Sequence, residues 1–187
     1  RSILGEEHQR VARVIANLAG VDMDLGKLRE SEEGYRRALS MRVKVFGADH
    51  IENAPILTNL ATVVEMQKRF REALALYSES LAVREKTNPA HPRRAVVLKS
   101  MGRCFIELKE FQDAVRVLQR ALAASEAAPA QKADILSFLA QAMWHADRSL
   151  RRRAIEFAQE SETLSRKEGA VDRANAITIW LKGKRPK

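Results

Sequence analysis

The sequence predicts an all-α protein, an α-solenoid in which four helical hairpins stack as a right-handed superhelix and a last helix caps the stack. Two observations predict this fold. The chain repeats itself about every 42 residues, since Gly5 and Asn17 are followed by Gly47 and Asn59. Its composition is 45% hydrophobic but only 5% aromatic, and the hydrophobic residues are mostly Ala, Leu and Val among Arg, Glu and Lys, which favours helices.

Four copies of the repeat align on a small residue that follows Leu or Met. These anchors are Ala19, Ala61, Gly102 and Ala140, at spacings of 42, 41 and 38 residues. A small side chain lets the two helices of a hairpin approach closely, whereas a bulky one would separate them. The fourth copy carries an insertion of about two residues near 147–150. We expect a single domain over residues 1–187, with repeats at about 9–50, 51–91, 92–129 and 130–168, a capping helix at about 170–182 and a basic tail at 183–187.

Each copy contains two helical stripes separated by a short polar or glycine-containing turn. In the second copy Leu57, Leu60 and Val64 recur at i, i+3 and i+7, which is typical of one face of a helix. Pro55 would remove a hydrogen bond from a helix interior. The first helix of this copy is therefore expected to begin near Asn53, or to bend.

The charge balance favours acidic partners, because the formal net charge is +9. Residues 148–187 contain eleven basic and five acidic side chains. Such a segment is typical of a solvated terminus. The alternative is binding of nucleic acid or an anionic surface through residues 151–153 and 182–187, for which the sequence offers few aromatic rings to stack on bases.

The sequence carries no signal for secretion or membrane insertion. The single cysteine, Cys104, excludes an internal disulfide. No apolar run approaches the roughly 20 residues that cross a bilayer. We therefore expect a cytoplasmic protein that does not contact a membrane.

Residues with catalytic or metal-binding chemistry are expected to be structural. His8, His50 and His91 occupy the same place in successive copies, so stacking would separate them by at least about 10 Å, whereas zinc ligands lie about 2 Å from the ion. Cys104 is expected to pack in the core. No phosphate-binding glycine loop, Gly-x-Ser-x-Gly or His-Glu-x-x-His motif is present. We expect no enzyme activity, no cofactor and no metal.

The repeat resembles the tetratricopeptide repeat (TPR), in the long form of roughly 42 residues found in kinesin light chains. The anchors of the usual unit are matched in the second copy by Leu60, Ala61, Phe70, Ala73 and Tyr77. The longer form adds a stretch similar to Leu-Gly-x-Asp-His-Pro, echoed in "ILGEEHQ", "VFGADHI" and "TNPAHPR". The resemblance implies a scaffold that binds another protein or a peptide.

The resemblance covers residues 3 to about 168, and residues 1–7 look like the end of a preceding repeat. We therefore expect the chain to be the C-terminal part of a longer protein. Long arrays similar to this one occur beside bacterial protein kinases and other signalling enzymes. A module that recruits substrates or regulators to such an enzyme is thus a further alternative.

In the fold that the resemblance implies, the first helix of each hairpin lines a concave groove. The most specific hypothesis concerns Asn17 and Asn59. A side-chain amide can form hydrogen bonds with the backbone of an extended peptide whatever the side chains of that peptide are. Lys99 and Arg103, one helical turn apart, would add selectivity for a carboxylate or phosphate. The alternative is that the amides tie neighbouring helices together and the basic pair is solvated. The predicted groove residues are Arg13, Asn17, Asn59, Thr62, Lys99, Arg103, Gln141 and Trp144.

A second copy of the chain is a further candidate partner. Val11 and Val14 are expected to leave apolar surface on the first helix of the N-terminal hairpin. Self-association through that hairpin is therefore an alternative to binding a different protein.

Overall fold

The computed structural model describes residues 3–88, 93–124 and 129–184. These residues form α-helices, one short 3₁₀ helix and no β-strand, which confirms the predicted all-α helical-repeat fold. The α-helices are α1 (Ile3–Asp24), α2 (Leu28–Phe46), α3 (Asn53–Met66), α4 (Phe70–Thr87), α5 (Arg94–Glu107), α6 (Phe111–Ala123), α7 (Pro129–Ala146), α8 (Arg151–Lys167) and α9 (Val171–Lys182).

The helices belong to two compact units, Arg1–His91 and Pro92–Lys187. In the first unit, α1 pairs with α2, α3 pairs with α4, and α2 also packs on α3. In the second unit, α5 pairs with α6 and α7 with α8, while α6 packs on α7 and α9 packs on α8. Helices α2, α6 and α8 are thus each covered by the helix that follows them.

Four of the turns between helices share one backbone conformation. Gly26, Lys68, Lys109 and Gly169 have φ values of 74°, 64°, 61° and 73°. The amide that follows each of them donates to the carbonyl five residues earlier, at 2.8 to 3.1 Å. This is the Schellman cap, which glycine adopts readily and which is unfavourable for a residue with a side chain. The short polar or glycine-containing turns predicted from the sequence are confirmed.

The turn between α7 and α8 is different. It contains the 3₁₀ helix Arg148–Leu150. The Asp147 carboxylate accepts a hydrogen bond of 2.7 Å from the Ser149 amide, and this backbone hydrogen bond lowers the pKa of Asp147. The extra residues predicted near 147–150 are accommodated in this turn.

Helix α3 begins at Asn53, as the position of Pro55 predicts. Pro55 lies in the first turn, where a missing N–H breaks no intrahelical bond. The Asn53 side chain is fully buried and donates to the carbonyl oxygens of Gly47 at 2.9 Å and Ala48 at 3.0 Å. It therefore fixes the linker after α2 against the start of α3.

The small anchors lie where paired helices come closest. A Cβ added to Gly102 of α5 would lie 2.4 Å from the Cγ of Leu118 in α6. In the first hairpin, a Cβ added to Gly34 of α2 would lie 2.8 Å from the Cβ of Ala19. The three alanine anchors are at most 1% exposed. The predicted packing role of the small residues is confirmed.

A charged cluster joins α2 to the turn before α4. The Glu32 carboxylate accepts hydrogen bonds from Arg36, Gln67 and Arg69, at 2.7, 2.9 and 2.8 Å. Arg36 also pairs with Glu72 at 2.7 Å. Burial raises the pKa of Glu32, but the hydrogen bonds from Arg36, Gln67 and Arg69 outweigh burial, so this pKa lies below its ordinary value.

Candidate functional site

The predicted groove residues of the first unit lie on its two first helices. Arg13 and Asn17 belong to α1, and Asn59 and Thr62 belong to α3. The side chains of Arg13, Asn17 and Asn59 are exposed, and that of Thr62 is half-buried. Both helices therefore present polar groups that another molecule can reach.

The hydroxyl of Tyr35 joins α1 and α3 at this surface. Tyr35 belongs to α2 and is 2% exposed, and its hydroxyl would lie 3.2 Å from a Cβ added to Gly20 of α1. Burial raises the pKa of Tyr35, a hydrogen bond with the Asn59 side chain opposes this rise, and Asp24 adds to it. Because Asn17 lies one turn before Gly20, the Tyr35 hydroxyl marks the side of the unit on which both asparagines lie.

The Asn59 amide thus has a partner inside the chain. This contact corresponds to the alternative in which an asparagine ties neighbouring helices together. A primary amide has two N–H donors and two acceptor lone pairs, so one hydrogen bond with Tyr35 does not use its full capacity.

A second tyrosine hydroxyl lies one repeat further along. Tyr77 of α4 is fully buried, and its hydroxyl donates to the Glu65 carboxylate at 2.8 Å and lies 3.1 Å from the Thr62 hydroxyl. Glu65 is on α3 and is 7% exposed. Thr62 is therefore held by the second helix of its own hairpin.

Neither tyrosine is among the site residues predicted from the sequence. Both come from second helices, which the resemblance places outside the groove, yet both hydroxyls reach first-helix residues. A signal was present in the sequence, because Tyr35 and Tyr77 are 42 residues apart and phenylalanine would have supplied the same packing without the hydroxyl.

In the second unit, Asp134 of α7 joins three helices. Its carboxylate lies 2.8 Å from the ammonium of Lys99 in α5 and 2.9 Å from the guanidinium of Arg173 in α9. Lys99 therefore directs its charge toward Asp134, which differs from the expectation that Lys99 is available to a partner or solvated. Arg103 is exposed one turn further along α5, and its role in selectivity stays a prediction.

Gln141 of α7 lines a small cavity between α7, α8 and α9. The cavity has a volume of about 160 Å³. Its walls combine alanine and isoleucine side chains with the Gln141 amide and the Arg173 guanidinium. The lining residues are Ser137, Ala140, Gln141, Ala158, Arg173, Ala176, Ile177 and Trp180.

Trp144 of α7 is surrounded by two cations and a second indole. The Arg151 guanidinium lies 4.8 Å and the Lys184 ammonium 5.0 Å from the centre of its ring. The Trp180 ring meets it edge-on, with 5.7 Å between centroids. These are favourable arrangements for a ring with a negative face. Arg151 and Lys184, which belong to the basic C-terminal segments, are thus engaged by rings within the unit.

Two histidines make local ring contacts. His50 packs against Phe46 with ring centroids 4.8 Å apart, and His145 stacks on Phe111 at 4.9 Å. His91 lies outside the described residues. In the described parts of the chain, no group of three His, Cys, Asp or Glu side chains is placed to hold a metal ion.

Cys104 is fully buried, so its predicted packing role is confirmed. Across residues 3–88, 93–124 and 129–184, no helix has the length and apolar character needed to span a membrane.

Comparison with known structures supports the fold over nearly the whole chain. The crystal structure of BtubC (BKLC) from P. vanneervenii matches 94% of this chain at 21% sequence identity and a TM-score of 0.69. This chain spans 66% of the length of that structure. The nearly identical, kinesin light chain-type TPR-like repeats of Podosopora anserina match 96% of this chain at 17% identity and a TM-score of 0.70, with 99% of that structure covered. A variant form of the same repeats gives a TM-score of 0.71 at 17% identity, covering 94% of this chain and 95% of that structure.

No curated protein matches the sequence. A family model for the tetratricopeptide repeat matches residues 10–86 and 68–127. Tetratricopeptide repeat proteins generally act as protein–protein interaction scaffolds and are typically non-enzymatic. Because the two matches together span more than half of the sequence, the chain belongs to the tetratricopeptide repeat family.

Proposed function

We propose that the chain is a protein-interaction scaffold that binds an extended segment of another protein along the first-helix face of its first unit. One observation carries this proposal. Asn17 and Asn59 are exposed at equivalent positions of α1 and α3, on the side of the unit marked by the Tyr35 hydroxyl. Two amides on one face can pair with successive peptide groups of an extended chain.

The hydrogen bond with Tyr35 supports this role for Asn59. A side chain that is already held in one orientation loses less conformational entropy when it binds a partner. Because Tyr35 is buried and fixed in the hairpin, it orients the amide of Asn59 before a partner arrives.

Charge makes an acidic segment the preferred partner. Arg13 is exposed one helical turn before Asn17 on α1, and it supplies the local positive charge because residues 1–91 as a whole are nearly neutral, with 14 basic and 13 acidic side chains. A guanidinium beside the amide favours a carboxylate or phosphate near the peptide groups that the amide holds. This charge would affect the association rate and its salt dependence more than the final affinity.

The experiment begins with a partner of defined sequence. Peptides are selected from a random-peptide display library on the whole chain, and the best one is synthesised with a fluorophore. Its dissociation constant is then measured by fluorescence anisotropy for the wild type and for Asn17→Ala combined with Asn59→Ala. Each hydrogen bond contributes about 1 kcal/mol, so the double variant should bind about 30-fold more weakly.

Gln119→Ala is the matched control, because it removes an exposed amide from α6. It should leave the dissociation constant within about twofold of the wild type, a difference below about 0.5 kcal/mol. Equal affinity of the wild type and the double asparagine variant would contradict the proposal. So would a loss in the Gln119→Ala control as large as that in the double variant.

A further inference from the structure

The cavity between α7, α8 and α9 lies where one position of the repeat lacks a large side chain. In the first three hairpins, a bulky residue of the second helix follows the small anchor by sixteen positions. These residues are Tyr35, Tyr77 and Leu118, each at most 2% exposed. In the fourth hairpin the same place falls on Ala158, eighteen positions after its anchor because of the two residues inserted in the turn. Ala158 is 1% exposed and lines the cavity.

Two hydrogen bonds show that α8 has the same register against its first helix as α4. In α4 the Ser80 hydroxyl donates to the carbonyl oxygen of Ala54 at 2.8 Å, and in α8 the Ser161 hydroxyl donates to that of Ala133 at 2.6 Å. Both serines lie three residues after the position in question, and both alanines lie seven residues before the anchor of their hairpin. The alanine of α8 therefore occupies the place that a tyrosine fills in α4.

The space beside Ala158 has the size of one aromatic ring. Its volume is about 160 Å³, and an apolar protein cavity of about 150 Å³ is large enough to bind benzene. Ala140, Ala158 and Ile177 form its buried wall, since each is at most 4% exposed. Gln141 of α7 and Trp180 of α9 also line it and are partly exposed. A ring can therefore enter between α7 and α9.

The residue after the anchor lies where a tyrosine hydroxyl ends. The Tyr77 hydroxyl lies 3.1 Å from that of Thr62, which directly follows the anchor of the second hairpin. The Tyr35 hydroxyl would lie 3.2 Å from a Cβ added to Gly20, which follows the anchor of the first. Gln141 follows the anchor of the fourth and lines the cavity. A phenol ring seated like that of Tyr77 would thus bring its hydroxyl to the Gln141 amide, which can donate or accept a hydrogen bond.

The charges near the cavity favour acidic residues around the ring. The second unit as a whole contains 19 basic and 11 acidic side chains. Arg173 lines the cavity, and the Lys184 ammonium lies 5.7 Å from the ring centre of Trp180, which lines it as well. The Asp134 carboxylate pairs with both Arg173 and Lys99, so these four charged and basic groups keep a net positive charge. Such a field attracts carboxylates.

We propose that this cavity binds a tyrosine side chain of another protein, presented by an acidic segment. The ring takes the space that Tyr77 fills in its own hairpin, and the hydroxyl forms a hydrogen bond with Gln141. A tyrosine held in a pocket is a frequent source of binding energy at protein interfaces. This inference goes beyond the proposed function, because it concerns the second unit and a different kind of contact.

Nuclear magnetic resonance of the ¹⁵N-labelled full chain tests the inference with three short capped peptides. The first has a central tyrosine flanked by aspartates, the second has phenylalanine in place of the tyrosine, and the third has lysines in place of the aspartates. The side-chain amide of Gln141 and the indole of Trp180 are assigned by substitution. The first peptide should shift both signals with a dissociation constant of about 1 mM or below.

The other two peptides test the hydroxyl and the charge. The phenylalanine peptide should bind about fivefold more weakly, because it lacks the hydrogen bond to Gln141. The lysine-flanked peptide should bind at least about threefold more weakly at low salt, because it meets charges of its own sign. Gln141→Ala should abolish the preference for tyrosine and leave the affinity for the phenylalanine peptide nearly unchanged.

Ala158→Leu fills the cavity with the side chain that the third hairpin carries at the same place. It should weaken binding of the first peptide at least about tenfold while keeping or raising the melting temperature of the chain. Ala123→Leu is the matched control, because it adds the same side chain at an exposed position of α6. It should leave the dissociation constant within about twofold of the wild type. Because the Gln141→Ala test uses the native cavity, it decides the proposal whether or not Ala158→Leu folds.

Unmoved Gln141 and Trp180 signals at about 5 mM of the first peptide would overturn the proposal. Undiminished binding to a folded Ala158→Leu variant would overturn it as well, and equal affinity for the tyrosine and phenylalanine peptides would overturn the role of Gln141. Binding of p-cresol as tight as that of the first peptide would assign the cavity to a free phenol instead of a protein segment. The proposed function is read from the separate signals of Asn17 and Asn59, so either proposal can fail alone.

Discussion

Replacing Gly102 by alanine tests whether the small anchors let paired helices pack closely. The added Cβ would lie 2.4 Å from the Cγ and 2.5 Å from the Cδ2 of Leu118, which is fully buried and has no solvent to move into. Overpacking of this kind costs about 1–3 kcal/mol. The change from glycine to alanine within a helix returns up to about 1 kcal/mol. The variant should therefore be less stable than the wild type by about 1 kcal/mol.

A double-mutant cycle with Leu118→Ala isolates the contact. Leu118→Ala alone should cost about 2–5 kcal/mol. In that background the added methyl group has space, so Gly102→Ala should become stabilising and the two changes should couple by about 2 kcal/mol. Urea unfolding followed by tryptophan fluorescence is the assay, because Trp144 and Trp180 belong to the same unit as Gly102.

Gly183→Ala is the control for this cycle. A Cβ there would meet nothing closer than the carbonyl oxygen of Trp180 at 3.6 Å, so the change should not destabilise the unit. If Gly102→Ala stabilises the chain as much in the wild type as in the Leu118→Ala background, the close-packing explanation of the anchor is wrong.

Three further predictions concern the turns, the charged cluster and the linker. Lys68→Gly and Lys109→Gly should each raise the unfolding free energy by about 1 kcal/mol, because glycine removes the strain of a positive φ. The control Arg37→Gly, in the middle of α2, should lower the unfolding free energy by a similar amount. Thermal unfolding measures all three variants. Because the pKa of Glu32 is lower in the folded chain, this carboxylate stabilises the fold above its unfolded pKa near 4.5, and the stabilisation is lost as the pH falls through the lower folded pKa. Glu32→Gln should therefore make the unfolding free energy depend less steeply on pH below about 4.5. Asn53→Ala should cost about 1–3 kcal/mol in urea unfolding, because the buried Asn53 side chain makes two hydrogen bonds that are each worth about 0.5–1.5 kcal/mol.

The fold could be predicted from the sequence because its main determinants are periodic. The spacing between Ala19 and Ala61 places the small anchors of two hairpins, and Gly102 and Ala140 continue the series at 41 and 38 residues. The start of α3 at Asn53 could be predicted because a helix accommodates a proline such as Pro55 only in its first turn. These constraints depend on the residue types within a repeat or a single helix. They can therefore be recognised without knowing which helices pack together.

The candidate site could be predicted only in part, because side-chain partners depend on which helices meet. The exposed positions of Asn17 and Asn59 follow from helical period alone. The pairing of Lys99 with Asp134 joins residues 35 positions apart, and no periodic pattern specifies it. The reach of the Tyr35 hydroxyl to Asn59 likewise depends on the packing of α2 between α1 and α3, which the sequence pattern does not fix.

The central claim, that Asn17 and Asn59 hold a partner on one face, is tested most directly by nuclear magnetic resonance of side-chain amides. The ¹⁵N-labelled chain is titrated with the display-selected peptide, and the amide signals of Asn17, Asn59 and Gln119 are assigned by substitution. Both asparagine signals should shift and saturate together with the dissociation constant of the peptide, while the Gln119 signal stays in place. Saturated binding with both asparagine signals unmoved would contradict the account.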